Sequence, residues 1–236
     1  MSPQDVAPRQ RWQILFSRAE PALRLRQQDI LADFQRVLTE AALPVSQTAA
    51  ARPRPRLRLA ANAPPGMELR GDIVEVWFDE LVPQERVLAA GESLADGLAI
   101  IDAREAWHGF PSAASQVRGG EYEVKVSTPE GVTADDLRSA VVRLLAASSL
   151  PGQRRRGESE RRSDAAERDL RPYVEDLEVL EVDEAAGKAR LRMQLRLDPS
   201  GAGRPRDVVD ALGLGLATTR TIRHRLLFVD TPPVAR

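Results

Sequence analysis

The sequence predicts an α+β protein in which one strand–helix–strand–strand–helix–strand order is used twice. Three observations carry that expectation. Short apolar runs alternate with period two, the segments between them repeat with a period near 3.6, and Pro and Gly punctuate the joins. A chain of 236 residues has room for two such units, each of about 100 residues.

In the first half, Trp12 to Phe16 reads as a strand. After Pro21, apolar residues at Ile30, Leu31, Phe34, Val37, Leu38 and Ala41 have the spacing of a helix packed on one face. Asp29 and Asp33 stand near its start, where the helix dipole favours negative charge. Leu43 and Pro44 end it. A proline-punctuated segment from Arg52 to Ala60 becomes extended, and Asp72 to Phe78 alternates as a strand. Pro83 opens a short helix through Val87 and Leu88, and Leu98 to Ala103 is the closing strand.

The second half repeats the order. Tyr122, Val124 and Val126 alternate along a strand, and Thr133 with Asp136 forms a capping-box pair for the next helix. Leu137, Val141, Leu144 and Leu145 are its buried stripe. Strands follow at Tyr173 to Val182 and Ala189 to Leu197, joined by a turn at Ala186-Gly187. Pro205 begins a helix, Gly213 ends it, and Thr221 to Val229 completes the unit. Each half is therefore expected to be a ferredoxin-like βαββαβ unit, an antiparallel sheet with helices on one face. The units are expected at 1–107 and 121–236, with a linker at 108–120 and a mobile Arg/Glu-rich loop at 153–168.

Composition excludes several chemistries. With no cysteine there is no disulfide, thiolate nucleophile, or Cys-ligated zinc or iron–sulfur cluster. The two histidines, His108 and His224, fit no metal-ligand pattern, and no acidic cluster has calcium-loop spacing. No cofactor is expected. No apolar run is long enough to cross a bilayer and the N-terminus is polar, so a cytoplasmic protein is expected, with no membrane partner. Aromatic residues are only 4%, which leaves the cores to Leu, Val, Ile and Ala.

Charge is unevenly spread. Residues 1–70 carry eleven Arg against six acidic residues, whereas 71–107 carry two against nine. Arg52, Arg54, Arg56 and Arg58 alternate with Pro53, Pro55, Leu57 and Leu59. On a strand all four guanidinium groups would share one side, an array that phosphates would stabilise. The competing expectation is that the acidic strand from Asp72 to Glu80 neutralises them internally. A second ladder, Arg190, Arg192 and Arg196, faces a simpler explanation: a hairpin at Ala186-Gly187 sets Glu181 and Glu175 opposite Arg190 and Arg196 as ordinary cross-strand pairs. Trp77 offers a ring on which a neighbouring arginine or a base can stack, but one aromatic is far from the paired stacking residues of an RNA-recognition module. His224 reads as structural.

Motifs along nearly the whole chain resemble a bacterial family of uncharacterised function, the radical-SAM-linked proteins. They are the strand ending in Phe16, Asp29 with its amphipathic helix and Ala42-Leu43-Pro44, and Arg52-Pro53-Arg54-Pro55. Glu121-Tyr122-Glu123-Val124, Asp169-Leu170-Arg171-Pro172, Arg204-Pro205 with Val208 to Leu214, and Ile222 to Phe228 complete the set. Where the family shows Ser-His-Leu-Asp, this chain has Arg26-Gln27-Gln28-Asp29; where it shows Phe-Asn-Pro-His-Pro, this chain has Ala51-Arg52-Pro53-Arg54-Pro55. Both family histidines are absent.

The resemblance implies a non-catalytic accessory or substrate-presenting role beside a radical SAM enzyme, with RNA or a ribosomal component as the substrate held. The chain lacks the cysteines such an enzyme needs for its own cluster. Two alternatives stand beside this expectation. One is an RNA-processing or RNA-modifying enzyme of tandem ferredoxin-like architecture, an analogy of fold alone; the other is a protein-interaction scaffold.

Overall fold

The computed structural model describes residues 8–151, 169–198 and 201–229. The fold is mixed α+β. The chain divides into two compact units, Met1–Val117 with Phe228–Arg236, and Arg118–Leu227. The loop expected at 153–168 lies outside the described residues.

In the first unit the elements run β1 (Gln10–Arg18), α1 (Gln27–Glu40), β2 (Leu57–Leu59), β3 (Met67–Phe78), α2 (Gln84–Ala90) and β4 (Leu98–Glu105), followed by the single turn α3 (Ala113–Gln116). The strand order is β4-β1-β3-β2, every pairing antiparallel. Ile14 and Phe16 of β1, Val74, Val76 and Phe78 of β3, and Ile30, Phe34, Val37 and Leu38 of α1 are buried together as apolar core residues. Phe16 and Phe34 meet edge to face at 5.4 Å, a geometry aromatic rings favour. Helix α1 therefore forms where the spacing predicted it; of the predicted stripe Ile30, Phe34, Val37 and Leu38 are buried, whereas Leu31 is half-buried and Ala41 lies just beyond the helix as its C-cap.

The second unit contains β5 (Val117–Ser127), α4 (Ala134–Ala146), β6 (Val174–Asp183), β7 (Lys188–Asp198), the two-residue β8 (Gly201–Ala202), α5 (Pro205–Ala211) and β9 (Ala217–Phe228). Its strand order is β9-β5-β7-β6, with β8 paired to β7. Tyr122, Val124 and Val126 are buried, as are Leu137, Ala140, Val141 and Leu144 on α4. Thr133 and Asp136 make the expected reciprocal cap: the Thr133 N–H and hydroxyl donate to the carboxylate at 3.0 and 2.7 Å. Pro205 stands in the first turn of α5, and Gly213 follows it at φ +73°.

Two arginines tie loops to the sheets. Arg18 is fully buried and donates to the carbonyls of Met67 and Pro64 at 2.6 Å and of Leu25 at 3.0 Å. Arg171 donates to the carbonyls of Leu145, Ala147 and Val174, capping the end of α4. Beside it, Asp169 accepts the N–H groups of Leu150 (2.6 Å) and Arg171 (2.9 Å). The Asp169-Leu170-Arg171-Pro172 motif is thus a clasp that closes the base of the segment between Pro151 and Asp169, which themselves form a bridge.

The expected linker at 108–120 contains ordered structure. Arg11 donates to the carbonyls of Trp107 and Phe110, both at 2.9 Å, and Glu75 accepts the Ala113 N–H at 2.9 Å. Residues 107–113 therefore lie strapped across β1 and β3. Residues 117–120 already belong to β5.

Candidate nucleic-acid interface

The four arginines from Arg52 to Arg58 do not lie on one strand. Only Leu57–Leu59 is paired as β2, with Arg58 opposite Glu75. Pro53 and Pro55 lack the N–H that would continue the ladder, and the preceding chain folds back instead. The Arg56 N–H donates to Ser46 O at 2.8 Å, Thr48 N–H to Arg54 O at 2.8 Å, and Arg54 N–H to Thr48 Oγ1 at 3.0 Å. Gln47 and Pro55 bridge between them. Residues 46–56 are thus a narrow hairpin arm with Arg52 near its tip, Arg54 on its flank, and Arg56 at its root. At that root the Arg56 guanidinium carbon lies 5.1 Å from the ring centroid of Trp77, a cation–π contact.

The acidic strand does not neutralise the arm. Arg52, Arg54 and Arg58 are exposed and Arg56 is half-buried, and none of the four makes an ion pair with a described residue. Glu75, the residue in register with Arg58, is completely buried and committed to Gln13 and Ala113. Asp79 is engaged by the Ser46 hydroxyl, and Asp72 is buried. An exposed group of like charges with no ion pair among the described residues is a standing electrostatic cost, lowered by any polyanion that binds it.

The other predicted positions have structural work to do. Asp29 accepts the Arg26 N–H at 2.8 Å and so caps α1. The Arg190–Arg196 ladder is paired in the expected way. Arg190 Nε lies 2.8 Å from Glu181 Oε2, though its N–H is not aligned for a hydrogen bond, and Arg196 Nε lies 3.9 Å from Glu175. Arg192 also pairs, with Glu178 at 2.7 Å.

Two groupings were not foreseen. His224 Nε2 sits 3.4 Å from Glu123 Oε2, and Arg225 donates to Glu121 at 2.9 Å. They join motifs separated by about a hundred residues, so no local spacing announces them. The buried Arg11–Glu75 pair was also missed; its signal was a cation beside the apolar run of β1. Among the described residues no cluster of three or more histidine or acidic side chains is placed to hold a metal, and no helix is long and apolar enough to cross a membrane.

Fold and site together define a mixed α+β protein whose first unit carries an arginine-rich arm that makes no ion pair among the described residues. The chain belongs to the family described as "Uncharacterized protein conserved in bacteria (DUF2344)", which matches residues 11–205. No curated protein matches it significantly. Among solved structures, a Cbf5–Nop10–Gar1 complex is similar with a TM-score of 0.53 at 12% identity, over 91% of this chain and 48% of that one. The archaeal box H/ACA sRNP Nop10–Cbf5 complex is similar with a TM-score of 0.49 at 13% identity, over 93% and 49%. The first likeness is one of fold and the second is too weak to carry an argument. The chain spans about half the length of these solved chains.

Proposed function

We propose that the protein is an RNA-binding accessory module, built of two tandem ferredoxin-like units, that presents an RNA or ribosomal substrate to a radical SAM enzyme. The observation that carries the RNA reading is the arm itself: Arg52, Arg54, Arg56 and Arg58 together, none of them ion-paired to a described residue. The ferredoxin-like reading is supported by the strand orders β4-β1-β3-β2 and β9-β5-β7-β6, the same permutation in each unit. The radical SAM enzyme as partner rests on the motif resemblance alone.

The test is RNA binding across a salt series, comparing the wild type with a variant in which all four arginines are Gln. Each phosphate contact contributes a slope of roughly −0.7 to −0.9 in log K against log salt. The variant is expected to lose both the affinity and most of the slope. Absence of RNA binding by the wild type at low salt overturns the reading. Co-purification with a radical SAM enzyme from the native host tests the partner separately.

A further inference from the structure

The structure of the arm's root points to the form of RNA it takes. We infer that the Arg56–Trp77 pair is a stacking platform for an unpaired base, so that the arm selects single-stranded over duplex RNA. This rests on the RNA-binding reading above.

The argument starts from what a purely phosphate-binding arm requires. It needs cations, and Arg52, Arg54 and Arg58 supply them. It has no use for a large aromatic ring. Yet Trp77 is half-buried near the C-terminal end of β3, directly beneath the third arginine of the row, while the other tryptophan of this sheet, Trp12, is buried in the core. The sheet holds Trp77 in place, because its N–H donates to Arg56 O at 3.2 Å and its carbonyl accepts from Ser46 N–H at 2.8 Å. Both strands of the arm therefore bond to the residue that carries the ring.

Two consequences follow for Arg56. Its guanidinium is held over a ring instead of swinging freely, and a planar cation so held offers a face on which a base can lie. Bases stack both on aromatic rings and on guanidinium planes, and only an unstacked base presents its face. On one side, two residues away, is Arg54; on the other, Arg58. In an extended chain that spacing is about 6.7 Å. A base at Arg56–Trp77 thus leaves the flanking phosphates beside Arg54 and Arg58. Duplex RNA keeps its bases inside the helix and offers this site phosphates only, so it forgoes the stack.

The experiment uses the full chain and three fluorescein-labelled probes: a short unstructured RNA, the same strand annealed to its complement, and the same strand with abasic sites. The single strand is expected to bind about tenfold more tightly than duplex or abasic RNA, the scale of one base stack. Arg56→Lys keeps the charge but not the plane, so it should remove that preference and leave the salt slope unchanged. Indole emission, read in a Trp107→Phe background, should be quenched by the single strand; the quench should vanish when Trp77→Phe is added. If duplex and abasic RNA bind as tightly as the single strand, the stacking inference falls while the RNA-binding reading stands. If none of the probes binds at low salt, both fall.

Discussion

Arg11 and Glu75 form a buried charge pair in which neither group bonds the other: Arg11 Nε lies 3.9 Å from Glu75 Oε1 and makes no hydrogen bond. Backbone groups of the strap serve both side chains instead: the carbonyls of Trp107 and Phe110 accept from Arg11, and the Ala113 N–H donates to Glu75 Oε1, while Glu75 Oε2 has no hydrogen-bond partner among the described residues. Charge complementarity and backbone bonding together hold residues 107–113 on the sheet.

Arg11→Met alone should therefore be costly, since it leaves a carboxylate that is 0% exposed without its cation. Removing one member of a buried pair costs about 3–5 kcal/mol. The double variant Arg11→Met, Glu75→Gln should recover part of that loss, because the orphaned charge is gone. Urea unfolding midpoints check both. A double variant no better than the single one would mean that the strap contacts, and not the charge, dominate.

Ala42 ends helix α1 with φ +50°, a left-handed conformation that suits glycine. The chain is held there by Leu43 N–H to Leu38 O at 3.0 Å and Ala42 N–H to Thr39 O at 2.9 Å, with Arg86 donating to Ala41 O. The left-handed conformation costs a residue with a Cβ about 1–2 kcal/mol, of which glycine's extra chain entropy offsets about 0.5–1 kcal/mol, so Ala42→Gly should leave a small net stabilisation. A raised thermal midpoint, with unchanged far-ultraviolet circular dichroism, is the expected result.

Asp169 and Asp136 set an acid limit. Hydrogen bonds from Leu150 and Arg171 N–H hold the Asp169 carboxyl below its ordinary range, and the Thr133 hydroxyl and N–H do the same for Asp136. Because their folded pKa values are depressed, the stability they contribute is complete above an unfolded Asp pKa of about 3.9. It is lost as pH falls through the lower folded values. Asp169→Asn should accordingly differ most from wild type near neutral pH, with the gap closing in strong acid. Denaturant midpoints at successive pH values would show it, and a gap independent of pH would remove the carboxylate from the account.

Arg192, by contrast, should be nearly dispensable. Its pair with Glu178 is about half-exposed on both sides, and exposed pairs contribute about 0–1 kcal/mol. Arg192→Ala should shift the unfolding midpoint little and leave RNA affinity and its salt slope at wild-type values. A reduced salt slope would instead make the second ladder part of the RNA surface.

Local chemistry made much of the fold legible. The 3.6 spacing of Ile30, Phe34, Val37 and Leu38, the alternation of Tyr122, Val124 and Val126, and the Thr133–Asp136 cap are written in neighbouring residues, and each appears where expected. The Glu181–Arg190 and Glu175–Arg196 pairs were legible for the same reason, since a tight hairpin fixes register over a short distance.

The arm was legible only in part. The alternation of Arg and Pro from Arg52 to Arg58 marked the segment, but read as one strand it concealed a hairpin, because bonding to Ser46 and Thr48 depends on chain that the alternation does not mention. Sequence alone thus determined the principal strands and helices, their order and the arginine-rich character of this stretch, all of which follow from periodicity and composition, but not the short elements α3 and β8 or the shortening of β2 to Leu57–Leu59. Tertiary structure alone decided that Glu75 is withheld from Arg58, that Arg56 lies over Trp77, and that residues 107–113 cover the sheet. The physical reason is that each of these depends on contacts between residues about twenty to a hundred positions apart in the chain, which only the pairing of strands brings within reach.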